Sequence, residues 1–320
     1  MADSSTNLKK VKKALMEVKK SVVGKDEEIC KVMIAFLAGG HVLIEDIPGV
    51  GKTTMASAFA KALGLKCNRM HFTPDVMPSD IVGFNMYNKG TGEFEYKAGA
   101  VNCNIFLADE INRTSPKTQS ALLQVMEEGK TSVDGKIYQL PDPFMVIATQ
   151  NPYGFIGTQS LPESQLDRFM IKINMGYPKV DEEIQILKSK QRRISAQIDT
   201  VMTEDELRIV RQNVDDVYVE DSVYEYIARL AKATRENADI SQGLSPRGSI
   251  ALLRISKAQA FLRGRDYCLP SDIQYIFPDV ANHRIVLNSG IHRGRTTVES
   301  VTNSILKNVP IPAVTAGMNV

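Results

Sequence analysis

The chain has 320 residues, a length that suggests about two domains, and 43% of it is hydrophobic, enough to fill proper cores. Its 39 Lys and Arg against 37 Asp and Glu leave a formal charge of +2, which gives no electrostatic reason to expect a nucleic-acid or membrane partner. No apolar run approaches the roughly 18 residues of a membrane span, no apolar stretch follows the basic N-terminal segment as in a secretory leader, and Cys30, Cys67, Cys103 and Cys268 lack zinc-motif spacing. The expectation is a soluble, cytoplasmic protein with buried thiols.

In chain order, Leu8, Val11, Leu15 and Val18 recur at helical spacing among lysines. A second helix is expected over about 25–38, stopped by Gly39-Gly40. A short buried strand over 41–45 leads through a glycine-containing turn into a helix over 53–63. Further buried strands are expected over 68–72, 104–108 and 144–149 and near 169–175, with helices between them, including 117–128. Alternating strands and helices imply a parallel sheet covered on both faces. Two hairpins interrupt the pattern. One spans 84–96 around Asn88-Lys89-Gly90-Thr91-Gly92, and the other spans 131–140 around Asp134-Gly135. After about residue 177 strand signals fade: Thr203-Glu204-Asp205-Glu206 is a capping box, and Ser245-Pro246 opens a helix that runs to about Arg263 before Gly264. The expected division is an α/β domain over 1–177 and a helical domain over 178–320, whose last ten residues form a loose tail.

Four strand or loop ends carry chemistry-bearing residues. In Asp46-Ile47-Pro48-Gly49-Val50-Gly51-Lys52-Thr53, with Thr54 following, backbone N–H groups at a helix N-terminus can wrap a phosphate. Lys52 would reach the β- and γ-phosphates and Thr53 would place its hydroxyl on Mg²⁺. The loop begins with Asp46 where the general pattern has Gly. Asp109 and Glu110 end a buried strand, where ligands bind in open α/β sheets; the first suits a metal, the second a general base. Asn151 ends another strand and could orient a water, although an Asn-Pro turn is common. Arg168, just before a strand, either projects from a subunit edge into a neighbour's site or is a salt-bridged surface residue.

A fifth candidate, Arg247, lies in the first turn of a helix, where the helix dipole disfavours a cation; a phosphate or a nearby Glu would answer it. Arg113 could line a subunit interface or simply be solvated. Val23 and Gly24 could flank an adenine, or be explained by packing. His71, in a strand, reads as a core or hydrogen-bonded histidine, and the four histidines form no metal constellation. The 13 methionines read as core filler.

These stretches together resemble the MoxR family of AAA+ ATPases over nearly the whole chain. The matching segments are Leu43–Thr53, Phe72-Thr73-Pro74-Asp75, Leu107–Arg113, Ala121–Gly129, Ala148-Thr149-Gln150-Asn151-Pro152, Gln165–Phe169 and Ser245-Pro246-Arg247. The resemblance makes Asp46 a family trait. It implies a P-loop fold with a C-terminal all-helical lid, a Walker A pair at Lys52 and Thr53, and a Walker B pair at Asp109 and Glu110. It further implies sensor 1 at Asn151, an arginine finger at Arg168 and sensor 2 at Arg247. The two hairpins correspond to the insertion in helix 2 and the one before sensor 1, an arrangement in which Arg247 would act on a neighbour's nucleotide and the hairpins would face the pore. ATP and Mg²⁺, a hexameric ring, a von Willebrand factor A domain partner, and chaperone-like or metal-cofactor maturation of client complexes are what the resemblance implies. Rival readings are a DNA-remodelling AAA+ motor, for which Lys89, Lys97, Lys130 and Lys136 are a thin basic lining, the AAA+ subunit of a magnesium chelatase, and a non-catalytic nucleotide switch, against which the intact Glu110 argues.

Overall fold

The computed structural model describes residues 2–46, 49–151, 161–191, 197–288 and 296–313. Helices α1 (Ala2–Lys19) and α2 (Asp26–Leu37) precede strand β1 (Val42–Glu45) and α3 (Lys52–Ala62). Then come β2 (Cys67–His71), the short α4 (Pro78–Val82), the hairpin β3 (Gly83–Asn88) and β4 (Glu93–Ala98), β5 (Ile105–Asp109) and α5 (Pro116–Glu128). A second hairpin, β6 (Lys130–Val133) and β7 (Lys136–Gln139), leads to β8 (Met145–Gln150), α6 (Glu163–Leu166) and β9 (Ile171–Ile173).

The rest is mainly helical: α7 (Val180–Gln191), α8 (Glu204–Asp215), α9 (Asp221–Glu236), α10 (Pro246–Leu262), α11 (Pro270–Ala281) and α12 (Val298–Asn308). It also holds a short antiparallel pair, β10 (Ile240–Gln242) with β11 (Val286–Leu287), too brief to leave a period-2 pattern in the sequence. Of the expected tail, residues 314–320 lie outside the described residues.

Five strands pair in parallel in the order β2–β5–β8–β1–β9. The inner strands are buried on both faces, so they read as unbroken apolar runs, as parallel strands must. Their side chains sort by pleat: Val42, Ile44, Leu107 and Ile147 enter the core shared with α1, α2 and α3, while Leu43, Phe106, Ala108 and Val146 enter the core under α5. The first core continues without a break into the helices beyond residue 178, from Val11 to Ile305.

Both hairpins form where their turns predict. Asp134 and Gly135 take φ of 49° and 77°, the left-handed values a two-residue turn needs, and Val133 pairs with Lys136. The hairpins also meet: Tyr96 stacks on Tyr138 with ring centroids 3.7 Å apart, and Asn85 Nδ2 donates to Asp134 Oδ2 at 2.7 Å.

His41, just before β1, is buried against β8 and α5. Its Nδ1 accepts from the Val146 N–H at 3.0 Å, which leaves Nε2 to donate to the Met126 carbonyl at 2.9 Å. Burial pushes its pKa down to about 4. Between the unfolded value and about 4 the unfolded chain carries a proton that the folded chain refuses. Stability is therefore complete above pH about 6.5 and falls by about 1.4 kcal/mol per unit as acid is added, levelling off below the folded value. His283, also buried and shifted well below its usual value, acts in the same direction. Urea denaturation at pH 7 and pH 5 should show the acid loss shrinking by about 2 kcal/mol in His41→Gln; an unchanged loss would mean that His41 titrates normally.

Candidate functional site

The phosphate loop connects β1 to α3, and its local geometry follows from two glycines. Gly49 and Gly51 adopt φ of 92° and 95°. Among the described residues a Cβ at either position would meet no neighbour, and the positive φ is what requires glycine. Gly51 is the N-cap of α3, which has no side-chain cap and no acid in its first turn. Its first N–H groups are thus left for an anion. Lys52 Nζ donates to the Asp46 carbonyl at 2.9 Å. Burial pushes the Lys52 ammonium below its usual range against the pull of Asp46, Asp109 and Glu110.

Asp46 has a role that the sequence does not reveal. Its Oδ2 accepts from the N–H groups of Met175 and Gly176 at 2.7 and 2.6 Å. The carboxylate thus ties the loop's first residue to the segment leaving β9, a bond glycine could not make. Lys25, also buried, donates to the carbonyls of Met175 and Tyr177. Gly24 has φ of 73°, and a Cβ there would lie 2.0 Å from Glu182 Cδ, so α7 sits against it.

One cavity of about 370 Å³ gathers seven of the expected residues: Gly49, Gly51, Lys52, Thr53, Thr54, Asp109 and Glu110. Val23, Gly24, Val50, Asn151, Arg168 and Arg247 do not line it, and Pro48 lies outside the described residues. Asn151 is buried at the end of β8, its carbonyl accepting from Asn112 Nδ2 at 3.2 Å.

Arg69 and His71, which the sequence reading gave no part in the site, complete the cavity from β2. The parallel register sets His71 opposite Asp109. Since β2 is an edge strand, His71 is 46% exposed and not a core residue; it meets Arg113 Nη1 at 3.3 Å. Arg69 Nη2 donates to Asp109 Oδ2 at 2.7 Å, and Thr149 Oγ1 donates to Asp109 Oδ1 at 2.8 Å. Burial raises the Asp109 carboxyl, but these two bonds outweigh it and hold the group below the usual carboxylate range. Thr149 Oγ1 also accepts the Glu110 N–H at 2.9 Å. That bond helps hold Glu110 at φ 57°, a left-handed conformation that costs a non-glycine residue about 1–3 kcal/mol. Strain of this kind clusters at functional sites. The Glu110 carboxylate pairs with Arg113 Nη1 at 2.7 Å.

The donor set fits a nucleotide with a divalent ion: unclaimed helix N–H groups, an ammonium, a hydroxyl and an ionised carboxylate share one opening. Among the described residues no cluster of three His, Cys, Asp or Glu could hold a metal alone.

Arg168 and Arg247 come together elsewhere. Both line a second cavity of about 240 Å³ and both pair with Glu127 of α5, Arg168 Nη1 at 3.0 Å from Oε2 and Arg247 Nη2 on Oε1. Arg168 Nη1 also donates to the Leu123 carbonyl at 2.9 Å. Asp167 brings the two arginines together: its Oδ2 accepts from the hydroxyl of Ser245, the N-cap of α10, at 2.9 Å, and its Oδ1 accepts from Arg284 Nε at 2.6 Å. Of the two partners left open for Arg247, the one within this chain is the glutamate.

Residues 41–171 match the family described as "ATPase family associated with various cellular activities (AAA)", and residues 232–304 match the "AAA lid domain" family. The chain is 45% identical to the uncharacterized protein YeaC of Bacillus subtilis over 94% of each chain. It is 37% identical to the protein named Chaperone MoxR1 of Mycobacterium tuberculosis, over 96% of this chain and 83% of that one. A crystal structure of a candidate ATPase from Cytophaga hutchinsonii superposes with a TM-score of 0.92 at 37% identity, covering 98% of both chains. With its five-stranded parallel sheet, its phosphate loop and these relatives along nearly its whole length, the chain belongs to the MoxR family of AAA+ ATPases.

Proposed function

We propose that the chain hydrolyses ATP with Mg²⁺ at a site shared between two copies in a ring, and that turnover drives chaperone-like remodelling or metal-cofactor maturation of client protein complexes. The observation that carries this reading is the separation of parts. The phosphate loop and both acids share one cavity, while Arg168 and Arg247 are built together into another. A neighbouring copy that presents its arginine pair to the first cavity supplies the missing positive charge.

In this account the loop N–H groups and Lys52 bind the phosphates. Thr53 and Asp109 would hold Mg²⁺, which neutralises charge between the β- and γ-phosphates when bound. Glu110 leaves Arg113 and accepts a proton from the attacking water, and Asn151 orients that water. In this reading the nucleotide part is 1–177 and the lid is 178–320. The relative named a chaperone supports the client-directed role. Six copies, a von Willebrand factor A domain partner and a cytoplasmic setting belong to the same reading. Among the described residues no helix is long and apolar enough to cross a membrane.

Glu110→Gln keeps the shape of the site and removes the proton acceptor. It should bind ATP as the native chain does and turn it over at least about 100-fold more slowly. Native turnover in that variant would remove Glu110 from the chemistry.

A further inference from the structure

We infer that Glu127 is an internal placeholder for the terminal phosphate of a neighbouring copy's nucleotide, holding Arg168 and Arg247 as a pair until that phosphate displaces it. This rests on the reading above in which both arginines act on a neighbour. The arginine pair is fixed by one set of contacts and neutralised by another. Asp167 fixes it from below, bonded to Ser245 and to Arg284, whose side chain is 2% exposed. Glu127 reaches it from a different element, the last turn of α5. Glu127, Arg168 and Arg247 are 42%, 30% and 46% exposed, so water screens these contacts and the carboxylate is readily exchanged.

Both Glu127 and Arg247 also sit against their own helix dipoles. Glu127 lies at the C-terminal end of α5, whose last turn holds no basic residue, and Arg247 lies in the first turn of α10, which holds no acid. Each charge is disfavoured by its own helix and answered only across the gap. A carboxylate has two oxygens, and each already takes one guanidinium. Arg168 Nε is buried and, among the described residues, has no hydrogen-bond partner. A terminal phosphate brings three oxygens and more charge to the same donors, so it is the better ligand. Glu127 therefore lowers the fraction of chains whose arginines are ready for a neighbour, and its removal raises that fraction.

The test is sedimentation with ATP and Mg²⁺ in the Glu110→Gln background, which measures assembly without turnover. Adding Glu127→Gln should lower the protein concentration at half-assembly by about fivefold, and Glu127→Ala should do the same without offering an amide to the arginines. A midpoint that stays put or rises in both would overturn the placeholder and leave Glu127 a structural ion-pair partner. Arg168→Ala in the same background separates the two ideas. If it fails to raise the midpoint, the shared-site reading falls; if it raises the midpoint while the Glu127 variants do not lower it, only the role of Glu127 falls.

Discussion

Arg168→Ala is expected to bind ATP and to lose about 10³-fold of its turnover, the lower end of what an arginine finger supplies. The side chain does not line the cavity that holds Lys52 and Asp109, so its loss should leave nucleotide affinity within a chain intact. Its ion pair with Glu127 is partly exposed and so contributes only about 0–1 kcal/mol, which argues against a mainly structural role. Mixing Arg168→Ala with Lys52→Ala should restore part of the activity, because each supplies the half-site that the other lacks. Equal losses in ATP binding and turnover, or mixed rings that stay inactive, would contradict action on a neighbour.

Arg284→Ala should cost about 3–5 kcal/mol of stability, the range for breaking a buried charged pair. The guanidinium donates to Asp167 Oδ1 and to the carbonyls of Asp167, Phe169, Met170 and Val280. Burial pushes its pKa down, and Asp167 pulls it back up. Truncation takes one partner from that carboxylate, which keeps Ser245, and from four carbonyls, of which that of Phe169 keeps His283 Nε2. In a chain of this size the loss corresponds to a fall in Tm of roughly 4–7 °C. Calorimetry would show it, and a shift below about 2 °C would mean that Arg284 is a passive passenger. Because Arg284 holds Asp167, the variant should also misplace Arg168 and lower turnover in the fraction that remains folded.

The parts of the site legible in the sequence are those whose demand is local. A positive φ at Gly49 and Gly51 and a bare helix N-terminus after them follow from a short run of residues, as does the Asp134-Gly135 turn. The strand order follows less directly, and a one-residue shift in the expected β2 matters little to the fold. It matters for the site, because register decides that Arg69 and His71 stand beside Asp109. A strand's position at the sheet edge has no local signature, so the sequence leaves a core and a hydrogen-bonded His71 both open, whereas the structure sets it beside Arg113 and half in water. Thr149 orients two acids about 40 residues away, and Asp46 holds Met175 and Gly176 across an even longer span. Glu127, Asp167 and Ser245 are ordinary helix-end residues until the fold gathers them around Arg168 and Arg247. What the sequence conceals is the set of second partners that orient the residues it announces.

Whether a second copy completes the catalytic site is read from steady-state ATP hydrolysis per chain as a function of protein concentration, with mass measured alongside and Glu110→Gln as the control for contaminating activity. Turnover per chain should rise steeply as chains assemble and disappear in the control. Turnover that stays constant down to concentrations where the protein is a monomer would show that one chain suffices, and would contradict the shared site.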